Sequence, residues 1–153
     1  MGREIRRVPP NWKHPTDDLG RFIPLLDEDY ETALRFWIEN YQLWKAGKHP
    51  NQNKKYAYYW ERDGGPPQPD GYRPKYDNDP TWYQVYETVS EGTPLTPPFE
   101  TKKALIDYLV NEGDFWDGRW CEAAAQRFVE REWAPSGAIV NGKFYTSKNI
   151  PEL

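Results

Sequence analysis

Aromatic residues are the feature that most constrains the fold of this chain. The sequence contains 8 Trp, 11 Tyr and 6 Phe among 153 residues, although its mean hydropathy of −1.01 is strongly polar. A chain of such low hydropathy stays disordered unless it has large apolar groups to bury. The rings supply that burial, because each aromatic side chain removes a large area from water when it packs. We therefore expect a compact fold with long ordered loops.

Three segments carry helix signals. The most regular covers residues 28–46, with Asp27 as its N-cap and Gly47 after its last turn. Its apolar stripe consists of Tyr30, Leu34, Trp37, Tyr41 and Trp44. A second helix is expected between Thr101 and Gly113, and a third over residues 119–132, with Asp117 as a possible cap. The rings on these helices, including Tyr108, Trp120 and Phe128, are expected to form core.

Strand signals occur between and around these helices. Residues 3–8 and 82–89 have strand composition, and Asn141-Gly142 lies between two apolar runs, which predicts a tight hairpin. The aromatic run of residues 56–60 interrupts a long Pro/Gly-rich loop and is expected to form a short strand. Together these signals predict an α+β fold with three helices, a small antiparallel sheet, a C-terminal β-hairpin and a long aromatic-rich loop. The length suits a single domain, residues 1–153.

The residues that usually carry catalysis or metals are scarce. The sequence has two histidines, His14 and His49, and one cysteine, Cys121, which is expected to be a buried residue of the third helix. These are too few for a usual zinc site or a disulfide framework. His14-Pro15-Thr16 matches one element of two-histidine phosphodiesterases, but the second element is missing. We therefore expect no enzyme activity, no metal and no cofactor.

Charge and hydropathy restrict the partners. The net charge of −4 gives no general attraction for nucleic acid, and no apolar run is long enough to span a bilayer. The order helix, helix, hairpin over residues 101–146 is also typical of a winged helix. DNA binding is nevertheless disfavoured, because three arginines of the third helix are balanced by Glu122, Glu130 and Glu132.

The rings outside the helices form the candidate site. Between residues 54 and 86 they alternate with cations, an arrangement that can stack a base and neutralise a phosphate. The predicted ligand-binding residues are Lys55, Tyr58, Trp60, Arg62, Tyr72, Arg73, Trp82 and Tyr86. Two other interpretations remain open. Covering the core could be the sole role of these rings, or the rings could form a flat surface for a protein partner.

Three strings carry a family resemblance. They are residues 1–12 (MGREIRRVPPNW), residues 86–94 (YETVSEGTP) and residues 133–136 (WAPS) with the hairpin that follows. With these strings the chain resembles a family of small proteins encoded by bacteriophages and prophages. The resemblance implies an accessory viral protein of the host cytoplasm that counters antiviral defence. Such a protein either sequesters a nucleotide-like signal or blocks a host defence protein, and a homo-oligomer is compatible with both.

Overall fold

The computed structural model describes residues 2–90 and 92–152, and it confirms the α+β fold class. In chain order the elements are β1 (Gly2–Val8), α1 (Tyr30–Lys45), α2 (Tyr59–Asp63), β2 (Trp82–Glu87), β3 (Thr93–Pro94), α3 (Lys102–Asn111), α4 (Glu122–Arg131), β4 (Trp133–Pro135), β5 (Gly137–Val140) and β6 (Lys143–Thr146). A 3-10 turn follows at Ser147–Asn149.

The chain divides into two compact units. One consists of residues 1–25 and 75–153, and we call it the sheet unit; the other, residues 26–74, is the α1 unit. The expectation of a single domain stays a prediction. Each unit is described by itself below.

The sheet unit is built on four antiparallel strands in the order β3-β2-β1-β4. Because side chains alternate across a strand, one face of β1 and β2 carries Ile5 and its cross-strand partner Val85. Both lie in a core cluster with residues of α3 and α4, among them Leu105, Leu109 and Phe128. The two helices therefore cover one face of the sheet.

The opposite face of the sheet is also covered. Val8 and Tyr86 point to this side and are buried, together with His14 from the loop after β1. The imidazole contacts the ring of Tyr86 at 5.4 Å between centroids, and its Nε2 lies 2.6 Å from the carbonyl of Ile23. His14 thus links the apolar segment around Ile23 to Tyr86 of β2 by hydrogen bonds as well as by packing.

A buried ion cluster joins the strands to the loop between α3 and α4. The guanidinium of Arg3 lies 3.3 Å from a carboxylate oxygen of Glu87, 3.5 Å from one of Asp114 and 2.6 Å from one of Asp117. Arg3, Glu87 and Asp114 are each at most 5% exposed. Asp114 also accepts a hydrogen bond of 2.7 Å from the indole of Trp120. One cation thus positions two strands and the chain that leads into α4.

The predicted hairpin is confirmed as β5 and β6. Val140 pairs with Lys143, and the two turn residues between them have positive φ angles, 52° at Asn141 and 76° at Gly142. Positive φ at both central positions is what a tight type I′ turn requires, and Asn-Gly tolerates it best.

The helix starts differ from the predictions. α1 begins at Tyr30, where the Asp29 carboxylate caps the N–H of Thr32 at 3.0 Å. Asp27, predicted as the cap, instead pairs with Arg73. α4 begins at Glu122 and not at residue 119, and Asp117 does not cap it because its carboxylate belongs to the Arg3 cluster. Thr101 does cap α3, as predicted.

Two further predictions are wrong. The run Tyr56–Trp60 does not form a strand but leads into α2, whose residue Glu61 accepts hydrogen bonds from the backbone N–H groups of Ala57 and Tyr58. That capping favours a helical turn. Cys121 is exposed, because it precedes the first turn of α4 and does not lie on its apolar face.

Removing the buried cation should destabilise the sheet unit strongly. In Arg3→Met the three carboxylates lose their only counter-charge in the cluster, so we expect the free energy of unfolding to fall by about 3–5 kcal/mol. Lys103→Met removes an exposed i,i+4 pair with Asp107, and its effect should stay below about 1 kcal/mol. Urea unfolding followed by circular dichroism measures both, and equal losses would contradict the assigned role of Arg3.

Candidate functional site

The eight predicted ligand-binding residues are divided between the two units. Lys55, Tyr58, Trp60, Arg62, Tyr72 and Arg73 belong to the α1 unit, whereas Trp82 and Tyr86 belong to β2 of the sheet unit. That all eight form one ligand pocket stays a prediction.

Two of the predicted rings lie at the end of an aromatic stack in the α1 unit. Tyr58 and Trp60 are parallel, with centroids 4.5 Å apart and an interplanar angle of 6°. Trp60 stacks on Tyr41 at 6.1 Å, and Tyr41 stacks on Trp37 at 5.4 Å. We call these four rings the aromatic stack. Tyr58 is 53% exposed and Trp60 is 44% exposed, so the stack ends at the surface.

The predicted cations of this unit already have partners. Arg62 donates to both carboxylate oxygens of Asp63, at 2.7 and 2.8 Å. Arg73 donates to the carboxylate and the backbone carbonyl of Asp27. Lys55 lies 5.3 Å from the ring centroid of Tyr56. Two of these three positive charges are compensated by neighbouring carboxylates. The predicted cations therefore present less free positive charge to a phosphate than the sequence suggested.

Tyr86 and Trp82 have packing roles in the sheet unit. Tyr86 is 2% exposed, its ring is covered by the Arg6 guanidinium at 4.3 Å, and its hydroxyl lies 2.9 Å from Nδ1 of His14. Trp82 is half-buried at the start of β2, where it pairs with Val8.

The two histidines are structural. Nε2 of His14 must carry a proton, because the carbonyl of Ile23 can only accept. Burial is the main cause that holds the pKa of His14 below its ordinary value; the Arg6 guanidinium acts in the same direction, and the bond to Ile23 opposes them. His49 is buried in the α1 unit, where Nδ1 accepts from the N–H of Asn51 and Nε2 faces the amide oxygen of Asn40.

A cleft beside α4 was not predicted from the sequence. Ala124, Arg127, Phe128 and Arg131 occupy positions i, i+3, i+4 and i+7 of the helix, so they form one stripe. The stripe faces β4 and the segment after β6, and the cleft between them has a volume of about 320 Å³. Its other lining residues are Trp133, Ala134, Pro135, Ser147, Ile150 and Pro151. We call this space the α4 cleft.

The α4 cleft is apolar but carries two positive charges. Among the described residues neither Arg127 nor Arg131 forms an ion pair, and no acidic side chain lines the cleft. One guanidinium nitrogen of Arg127 donates to the carbonyl of Ile150, which holds the side chain in place. Trp133, at the rim, is 49% exposed. The cleft therefore combines an aromatic face with cations, the combination that was predicted for residues 54–86.

The balanced numbers of arginines and glutamates along this segment gave no indication of the α4 cleft. Of the three glutamates that balance its arginines in number, Glu132 is bound by Arg7 and Lys102, which hold its pKa below the usual range against the opposing effect of burial. Glu122 accepts a hydrogen bond from Gln126. The i, i+4 spacing of Arg127 and Arg131 was the signal that could have identified a cationic helix face. The winged-helix alternative stays a prediction, although α3, α4 and the hairpin occur in the expected order.

Comparisons with known proteins give no match. No protein-family model fits the chain, and no curated protein or solved structure is significantly similar to it. Within residues 2–90 and 92–152, no cluster of His, Cys, Asp or Glu could hold a metal ion, and no helix has the length and apolar character to cross a membrane.

The lowered pKa of His14 predicts a pH-dependent stability. In the folded protein the neutral ring is favoured, whereas the unfolded chain takes up a proton below about pH 6.5. The stability that His14 contributes should therefore be complete above that pH and be lost as the pH falls toward the folded-state pKa. Urea unfolding at about pH 7.5 and about pH 5.5 should show a larger loss for the wild type than for His14→Gln. Parallel losses would exclude His14 as the titrating group.

Proposed function

We propose that this chain is a phage-encoded binding protein without catalytic activity, and that it binds a nucleotide-like anion in the α4 cleft. The observation that carries the proposal is that Arg127 and Arg131 line an apolar cleft and form no ion pair with a carboxylate among the described residues. A cation without a counter-charge in an acidic protein is a place where an external anion lowers the free energy.

The shape and chemistry of the α4 cleft suit a ligand that is part planar and part anionic. Its volume of about 320 Å³ lies at the lower end of the range of small-molecule sites. The exposed ring of Trp133 offers a face for stacking a base, and a guanidinium binds phosphate through two parallel hydrogen bonds. Arg127 is already held by Ile150, so less side-chain entropy is lost when the anion binds.

Sequestration is the role that fits such a site. Withholding a nucleotide signal requires affinity and no chemical step, and the resemblance to phage-encoded proteins supports a role against host antiviral defence. The protein would act by lowering the free concentration of the signal that activates a defence system.

Purification of the protein with its ligand tests the proposal. Heat denaturation should release an intact nucleotide that mass spectrometry identifies, because a tightly bound ligand survives purification. Calorimetric titration with that nucleotide should then show that Arg127→Gln and Arg131→Gln each weaken binding roughly tenfold or more, since each loses charged hydrogen bonds. Arg119→Gln is the matched control, because Arg119 is exposed and does not line the cleft.

Two outcomes would contradict this proposal. If no small molecule is released and nucleotides do not bind, or if Arg119→Gln weakens binding as much as the cleft variants, the α4 cleft is not a nucleotide site.

A second candidate function is inhibition of a host defence protein, and the exposure of Tyr58 and Trp60 favours it. Exposed aromatic residues are the commonest hot spots of protein interfaces. Arg62 and Arg73 are compensated by ion pairs with Asp63 and Asp27, which suits a protein surface better than a phosphate.

Removal of the exposed end of the aromatic stack separates the two candidates. Tyr58→Ala with Trp60→Ala should abolish stoichiometric recovery of a host defence protein if the stack is the interface, with a loss of about 2 kcal/mol or more per hot-spot ring. The same double variant should leave nucleotide binding at the α4 cleft unchanged. Phe144→Ala is a suitable control, because Phe144 is 65% exposed in the hairpin, outside the stack.

A further inference from the structure

A second cavity, within the α1 unit, combines aromatic walls with negative charge. It is lined by Glu28, Ala33, Phe36, Trp37, Tyr59, Asp63, Gly65, Pro67 and Tyr72, and its volume is about 500 Å³. Four of the nine lining residues are aromatic and two are acidic, and none is Lys or Arg. We call this space the α1 cavity. It is separate from the α4 cleft, which belongs to the other unit.

The aromatic walls of the α1 cavity are held in place by their own contacts. Tyr59 is only 4% exposed, and its ring packs on Trp37 at 5.5 Å and on Trp44 at 6.1 Å. The indole N–H of Trp37 donates to the carbonyl of Gly64 at 3.0 Å. Tyr72 meets the ring of Tyr30 edge to face at 5.6 Å. The rings therefore keep their orientation without a ligand, which reduces the entropy cost of binding one.

The two carboxylates differ in their availability. Asp63 is paired with Arg62, so much of its charge is compensated. Glu28 uses its backbone carbonyl to accept from Arg73, but its side chain forms no ion pair or hydrogen bond among the described residues. Burial, followed by the nearby Asp63 carboxylate, raises the pKa of Tyr59, so the phenol stays neutral. Glu28 is therefore the carboxylate of the lining whose charge is least compensated, and no Lys or Arg is among the lining residues.

We propose that the α1 cavity binds a small organic ammonium ion. Aromatic faces carry negative electrostatic potential and attract alkylammonium groups, and a carboxylate at the rim adds a counter-charge. The rings of Phe36, Trp37 and Tyr72 line the cavity and supply the aromatic part of such a site, and Glu28 supplies the carboxylate.

The same features exclude the other simple ligand classes. A phosphate or carboxylate ligand would meet two acidic side chains and no cation. A divalent metal needs several oxygen ligands arranged around it, whereas most of this lining is aromatic or apolar. A neutral aromatic ligand would gain no charge interaction from Glu28.

Choline and its neutral isostere 3,3-dimethylbutan-1-ol provide the test, because the two have the same shape and differ in charge. In a titration of the whole protein followed by NMR, choline should shift the resonances of Trp37 and Tyr59, and the alcohol should bind at least roughly tenfold more weakly. A trimethyllysine peptide, titrated in parallel, shows whether a protein-borne ammonium is preferred to a free one. Either of these cations binding more tightly than the alcohol supports the proposal.

Variants locate the site and keep the test independent of folding. Glu28→Gln is exposed and isosteric, and it should weaken choline binding roughly fivefold. Glu39→Gln, within α1, is exposed, lies outside the cavity lining and should have no effect. The proposal is overturned if choline and the alcohol bind equally, if neither binds at concentrations on the order of 10 mM, or if both glutamate variants behave alike.

Discussion

The buried guanidinium of Arg3 is the constraint on which the sheet unit depends. It lies two residues into β1, yet it contacts Glu87 in β2 and two aspartates in the loop before α4. An arginine cannot lose its proton inside a protein, so carboxylates must remain near it in every folded state. Asp114 in turn holds the indole of Trp120, two residues before the start of α4. This chain of contacts links the buried guanidinium to the segment that leads into α4, the helix that lines the α4 cleft.

Aromatic residues serve the two units in opposite electrostatic settings. In the sheet unit Trp133 borders a cleft with two arginines that form no ion pair within the part of the chain that the structure describes, whereas in the α1 unit Trp37 and Tyr59 border a cavity with two carboxylates. The rings of both sites supply apolar contact area and stacking faces. In both proposals the ligand class therefore depends on the few charges around the rings. A net charge of −4 distributed over 153 residues gives no indication of this local separation.

Local signals predicted the parts of the fold that depend on local chemistry. The Asn141-Gly142 turn, the Thr101 cap and the two main strands follow from backbone preferences of a few neighbouring residues. The wrong predictions concern side chains whose partners are distant in sequence: Asp117 is bound by Arg3, and Asp27 by Arg73. The sequence patterns also placed the rings on helices and the rings outside them in two groups. The structure joins the groups, because Tyr41 of α1 stacks on Trp60 of α2. No periodicity within either segment records that contact.

An anion site in an acidic protein must obtain its affinity at short range. The overall negative charge repels a nucleotide at a distance, but at physiological salt this repulsion is screened over roughly 8 Å. Inside the α4 cleft the relevant charges are Arg127 and Arg131, with an apolar floor that strengthens each charged hydrogen bond by excluding water. Long-range steering contributes little in such a case, and specificity is carried by contact geometry. A guanidinium held by a backbone carbonyl, as Arg127 is by Ile150, would supply part of that geometry to the proposed anion. At the proposed anion site, discrimination is therefore expected to come from donor geometry, of which the position of Arg127 is already set by Ile150, and the overall charge of the protein has little part in it.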